Sequence, residues 1–187
     1  RRRHTRYISV TGVQTCALPF SNENKIAETL LDLPSANELV LISDVNGSTP
    51  LMFAAQDGKI GIVQKLLRLS NAETQVKRVD ALRRNPLIYA AAYGQIEVLR
   101  QLLNMESGPD QAKHKDKSGW NVLMHAAHNG QSDVIEFLLS QPFAADLLAA
   151  RDVDGDDVVT IASSAGKFRI AARILEFSNT LRQKNTV

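Results

Sequence analysis

The chain has a single cysteine, Cys16, among 187 residues, so no intrachain disulfide can form and paired-cysteine metal sites are excluded. That usage is compatible with an intracellular, cytoplasmic protein. No apolar run approaches the ~20 residues needed to span a bilayer, and no secretory signal is legible. The strings G-x-x-x-x-G-K-[ST], G-x-G-x-x-G, H-E-x-x-H and C-x-x-C are all missing, which removes the common phosphate-loop, dinucleotide, zinc-protease and redox signatures. Neither sign of charge dominates: 22 Lys and Arg stand against 20 Asp and Glu.

What is present is a period. Asp44, Asp80, Asp116 and Asp152 are spaced by 36 residues, and self-similarity at such a spacing marks an array of stacked supersecondary units. Gly58, Gly94, Gly130 and Gly166 share one column, preceded by Ala54-Ala55, Ala90-Ala91, Ala126-Ala127 and Ala162-Ser163. After the glycine come Ile62-Val63, Val98-Leu99, Val134-Ile135 and Ile170-Ala171, then Leu66-Leu67, Leu102-Leu103, Leu138-Leu139 and Ile174-Leu175. Apolar pairs at i, i+1, i+4, i+5 fall on one helix face. Leu51, Ala54 and Ala55 predict a shorter helix before the turn. Thr49, Asn85, Asn121 and Asp157 form an N-cap column, Pro50 and Pro86 occupy the first helical position, and the glycines suit a left-handed C-terminus. Each unit is thus expected to be a short helix, a glycine turn and a longer helix.

The segment from Asp44 to Gly58, with Thr49-Pro50-Leu51 and Ala54-Ala55, followed by Ile62-Val63 and Leu66-Leu67, resembles the ankyrin repeat and its T-P-L-H-x-A-A-x-x-G core. The resemblance covers Asp44 to Phe177 and implies an all-α ankyrin repeat solenoid with repeats 44–79, 80–115, 116–151 and 152–187. A partial repeat, 21–43, precedes them, its Ile26, Leu30 and Leu31 matching second-helix columns. That half repeat is expected to expose Ile26 and Leu30. Three departures stand out. Met52, Ile88, Met124 and Thr160 replace the motif histidine, which puts its bridge between repeats in doubt. Arg83 stands where Gly47, Gly119 and Gly155 stand; a side chain at positive φ is strained, so that hairpin is expected to be remodelled. The period exceeds the usual 33, and the excess lies in Ser70 to Val79, Met105 to Lys115 and Ser140 to Arg151. These connectors are expected to vary, packed only through Val40, Val76, Ala112 and Leu148.

Residues 1–20 break the period and resemble the conceptual translation of a sequencing adapter. They are expected to be a non-native tail without order, leaving residues 21–187 as the repeat domain. Four arginines and no acid lie within them, so the remainder carries 18 basic against 20 acidic residues, a net charge of −2. A nucleic-acid partner is therefore disfavoured.

The histidines and acids form no catalytic constellation. His125 and His128 lie at i and i+3 with His114 upstream, but His125 shares the packing column of Phe53, Tyr89 and Ile161. Asp152-Val-Asp154-Gly155-Asp156-Asp157 superficially looks like a calcium loop, yet its glycine comes at the fourth position and Ser163 stands where the bidentate Glu is needed. A hairpin turn with an Asp cap explains it. No enzyme, cofactor or metal site is expected.

In ankyrin repeats, the resemblance implies that hairpin tips and the residues before the helix-ending glycine carry recognition. These positions are Val45, Asn46, Ser48, Gln56 and Asp57, then Ala81, Leu82, Arg84, Ala92 and Tyr93. The third repeat supplies Lys117, Ser118, Trp120, His128 and Asn129, and the fourth Val153, Asp154, Asp156, Ser164 and Ala165. Trp120, Tyr93 and Arg84 lead because these residue types dominate interface hot spots. The expectation is a monomeric scaffold binding another protein, with no nucleic acid, membrane or cofactor. The alternative is a regulatory or targeting fragment of a larger enzyme, such as a protein kinase carrying ankyrin repeats.

Overall fold

The computed structural model describes residues 9–10, 13–14, 27 and 29–184. Of the first twenty residues only Ser9–Val10 and Val13–Gln14 are described, paired as a short antiparallel ladder; the rest of that segment, and Ile26, lie outside the described residues.

From Thr49 onward the chain repeats an inner helix, a glycine turn and an outer helix. The inner helices are Pro50–Gln56, Pro86–Ala92, Val122–Asn129 and Val158–Ser164. The outer helices are Ile60–Leu67, Ile96–Leu103, Ser132–Leu139 and the longer Phe168–Lys184. The cap column works as its chemistry requires. Asn85 accepts from Ile88 N at 2.9 Å, Asn121 from Leu123 N and Met124 N at 3.0 Å each, and Asp157 from Thr160 N at 2.9 Å. Thr49 closes a longer contact, 3.4 Å from Met52 N. Gly130 ends its helix at φ +81°, the left-handed conformation that a Cβ penalises.

The connectors hold more structure than the sequence suggested. Each contains a third short helix: Ala36–Leu39, Ala72–Lys77, Gly108–Lys113 and Ala144–Ala149. Val40, Val76 and Ala112 are buried, as expected, but in the last connector Leu147 rather than Leu148 takes the fully buried place. Leu147 stands in the column of Gln75, which is also fully buried, so an apolar side chain fills there the place that a glutamine fills two repeats earlier. Glu73 ties successive third helices, accepting from Glu106 N, Ser107 N and Ser107 Oγ at 2.9, 3.3 and 2.6 Å.

The core runs unbroken along the stack. Leu66, Leu102, Leu138 and Ile174, one per repeat, are all fully buried. Their neighbours in the next column change with position: Leu139 is buried and Leu175 is 49% exposed. Leu30, one period before Leu66, is exposed and Leu31 packs against the core.

Two of the caps also tie their own repeats together. Asn85 Nδ2 donates to Gln111 O at 2.8 Å and Asn121 Nδ2 to Leu147 O at 2.9 Å. Each asparagine thus caps its inner helix with its oxygen and ties the third helix of its own repeat with its nitrogen.

Candidate protein interface

The recurring aspartate organises each hairpin. Asp44, Asp80, Asp116 and Asp152 each accept through Oδ1 from the backbone N–H groups two and four residues on, at 2.8 to 3.0 Å. This side-chain loop fixes the turn and leaves the intervening residues at its tip. The tips are then stitched together by backbone bonds: Ala81 N donates to Asn46 O at 2.7 Å, Lys117 N to Leu82 O at 2.9 Å and Val153 N to Ser118 O at 3.1 Å.

The Arg83 hairpin is not remodelled. Arg83 adopts φ +61°, where Gly47, Gly119 and Gly155 sit at +79°, +81° and +87°. Its turn keeps the Arg83 N to Asp80 O bond at 2.9 Å. The Asp80 and tip-to-tip bonds over-determine the backbone, so the turn accepts a strained side chain rather than changing shape.

Beneath the tips, the second carboxylate oxygen gathers side chains. Asp80 Oδ2 accepts from the Tyr89 hydroxyl and Arg84 Nε, each at 2.8 Å, and Arg84 Nη2 also donates to the Tyr89 oxygen at 2.8 Å. The guanidinium lies over the Tyr89 ring, 4.8 Å from its centroid. Burial pushes the Asp80 carboxyl up, but the Arg84 and Tyr89 donors outweigh it and hold it below the usual carboxylate range. Burial and the carboxylate together raise the Tyr89 phenol. In the third repeat His125 replaces the tyrosine, its Nε2 2.9 Å from Asp116 Oδ2. A carboxylate only accepts, so Nε2 carries the proton. Burial lowers the imidazole below its ordinary value, outweighing the attraction of Asp116.

These networks sort the sequence-based candidates. Trp120 is half-buried; its indole N–H donates to Asp152 Oδ2 at 3.1 Å, and its ring lies 5.3 Å from His125 and 5.0 Å from His128. Arg84 is likewise engaged, with 32% of its side chain exposed. Ser48 is buried and lies against the Tyr89 phenol, so it is no tip contact. Gln56 is half-buried, its carbonyl taken by Gln95 Nε2 at 3.2 Å. Tyr93 and Leu82 stand open, 54% and 50% exposed. Asn46, Asp57, Lys117, His128 and Asn129 are exposed too.

Phe53, assigned to packing by its column, is 46% exposed. Tyr89 in the same column is covered by Ser48 of the preceding hairpin; one period before Ser48 falls Gly12, outside the described residues. Arg83, overlooked as a surface group because its column reads as turn glycine, is exposed at the second tip.

His114 Nε2 lies 2.8 Å from Arg83 O, and no three His, Cys, Asp or Glu side chains among the described residues could hold a metal ion. A concavity of about 250 Å³ lined by Gly94, Gly130, Gln131, Ser132, Asp133 and Val134 is open to solvent. No helix among the described residues is long and apolar enough to cross a membrane.

A stack of helix-turn-helix units carrying protruding hairpins defines a helical repeat solenoid. A family model for ankyrin repeats, in three copies, matches residues 15–113, and a single ankyrin repeat matches residues 118–153. The chain belongs to the ankyrin repeat family, whose repeats generally serve as protein–protein interaction modules. A search among curated proteins finds no match.

Proposed function

We propose that the chain is a scaffold that binds another protein on the concave face formed by the hairpin tips and inner helices, acting as a monomer without catalysis of its own. The observation that carries this reading is a contrast between columns. Positions that pack repeat on repeat keep one character, as the fully buried Leu66, Leu102, Leu138 and Ile174 do. Positions that open onto the concave side change from repeat to repeat: Asp57, Tyr93, Asn129 and Ala165 share one column, and Asn46, Leu82, Ser118 and Asp154 another. A common frame presenting different side chains suits recognition of one particular partner.

Affinity capture with the full chain tests it. Tyr93→Ala combined with Leu82→Ser removes two exposed side chains while leaving the buried networks in place, and Gln64→Ala on an outer helix serves as the control. Loss of partners with the double variant alone is expected. Retention of every partner by the double variant sinks the concave-face reading.

A further inference from the structure

The dipeptide Asn-Gly occurs twice in the chain, at Asn46-Gly47 and Asn129-Gly130, and the fold holds the two pairs differently. An asparagine followed by glycine is open to attack on its side-chain carbonyl by the next backbone nitrogen, because glycine has no Cβ to shield that nitrogen or to resist the backbone rotation required. Both asparagines are exposed, so access to water does not separate them. Hydrogen bonding does. Asn129 is the last residue of the inner helix Val122–Asn129, and its Nδ2 donates to His125 O at 2.8 Å. Gly130 N donates to Ala127 O at 3.2 Å, and Gln131 N closes the turn on Ala126 O at 2.9 Å. Neighbouring repeats flank this turn: Gln131 Nε2 donates back to Ala92 O at 3.1 Å, and Lys167 lies 3.2 Å from where a Cβ on Gly130 would stand. Bringing Gly130 N onto the Asn129 side chain therefore means unwinding a helix end that is held from both sides.

Asn46 sits at the first hairpin tip, and its side-chain amide makes no hydrogen bond among the described residues. Gly47 N is held by one bond, to Asp44 O at 3.0 Å. The second and third tips are tied on both sides, since Ala81 N and Lys117 N donate to the tip before and Leu82 O and Ser118 O accept from the tip after. Val45 N, the counterpart of Ala81 N, has no such partner among the described residues, and Val45 is fully exposed. The first tip is thus tied on one side, through Ala81 N to Asn46 O at 2.7 Å. Opening an edge element of this kind costs much less than opening the body of the stack.

We infer that Asn46-Gly47 is a site of spontaneous deamidation, which converts Asn46 in the folded chain to aspartate and isoaspartate, while Asn129-Gly130 is protected by its helix end. Gly47 N, its proton passed to hydroxide, bonds to Asn46 Cγ; the Cγ–Nδ2 bond breaks and the amide nitrogen leaves as ammonia. Water then opens the succinimide ring, so one asparagine and one water give one acidic residue and one ammonia. Breaking the ring at Cγ gives aspartate. Breaking it at the backbone carbonyl carbon gives isoaspartate, which adds a methylene to the main chain and displaces the carbonyl that accepts from Ala81 N. Either product places a new negative charge at the first tip, and the second also loosens that tip from its neighbour. None of this depends on what the stack binds.

The test incubates the full chain at mildly alkaline pH and 37 °C, samples it over days, digests it at acidic pH and locates the amide-to-acid mass gain by peptide fragmentation. Isomerisation at Asp57-Gly58 or Asp154-Gly155 leaves the mass unchanged, so the gain reports asparagine alone. Asn46 is expected to convert about tenfold faster than Asn129 or more, as a lower opening free energy requires, and to yield two chromatographically separable products of equal mass. In guanidinium chloride, with the fold removed, the two sites should convert at similar rates. Equal rates in the folded chain, or no conversion of Asn46 there, overturn the inference. A ratio that persists in guanidinium chloride also overturns it, because the difference then lies in the flanking sequence and not in the hairpin.

Discussion

At the scale of single residues, strain and protonation can each be isolated. Arg83 is the one non-glycine residue at positive φ among the described residues, at +61°, and its side chain has no ion pair among them. An L-residue in the left-handed region costs about 1–2 kcal/mol, partly offset by glycine's greater freedom in the unfolded chain. Arg83→Gly is therefore expected to raise the urea midpoint, by about 1 kcal/mol in stability; a lower midpoint would mean that the arginine side chain makes a contact worth more than the strain. His125 offers a pH test. Its folded-state imidazole is held below the ordinary value by burial, so the unfolded chain takes up a proton first as pH falls. Stability from this site is full above about pH 6.5 and declines below it. The groups around the ring include Asp116, His128 and Arg84. Tyr89 occupies the same column and donates to the equivalent aspartate, so His125→Tyr should fold. The thermal midpoint of the wild type should drop more between pH 7 and pH 5.5 than that of His125→Tyr, and equal drops would place the acid sensitivity elsewhere.

At the scale of elements, the N-cap residues separate two roles that look alike in sequence. Asn121 caps its helix and also donates to Leu147 O in the third helix, whereas Thr49 closes only a 3.4 Å cap contact. Removing an N-cap side chain costs about 0.5–2 kcal/mol, and orphaning a buried acceptor costs about 1–3 kcal/mol. Asn121→Ala should thus cost about 2–4 kcal/mol and Thr49→Ala under about 1 kcal/mol by urea unfolding; similar losses would deny the asparagine its bridging role. The caps, the Asp columns and the terminating glycines were legible in the sequence because local backbone chemistry demands those residue types at fixed offsets. The third helices were not. They are about six residues long, under two turns, and bury a mixture that includes Gln75 and Gly108, so no apolar periodicity announces them. Their order comes from neighbours in the stack, as with Glu73 bridging to Ser107. The candidate site was half legible for a related reason. Residue type marked Trp120, Tyr93 and Arg84 alike, but only the stack decides that Trp120 reaches Asp152 and Arg84 reaches Tyr89 while Tyr93 faces outward.

At the scale of the whole molecule, each repeat contacts only its neighbours, so stability is a sum of repeat and interface contributions and the ends are weakest. Leu102 and Ile174 occupy the same column and are both fully buried, yet they differ in what depends on them. Truncating either to alanine removes a similar volume and costs about 2–5 kcal/mol locally. Leu102 lies in the second repeat, flanked on both sides, so its loss weakens the segment through which all interfaces are coupled. Ile174 lies in the last repeat, whose helix also carries the half-exposed Leu175. The single tryptophan, Trp120, is bonded to Asp152 of that last repeat and reports when the final hairpin leaves. With Leu102→Ala, tryptophan fluorescence and far-UV circular dichroism should shift together to lower urea. With Ile174→Ala the fluorescence change should come first, because the fourth repeat unzips while the first three keep their helices. Coincident transitions in Ile174→Ala would show that the four repeats unfold as a single unit and that nearest-neighbour contacts alone do not govern this stack.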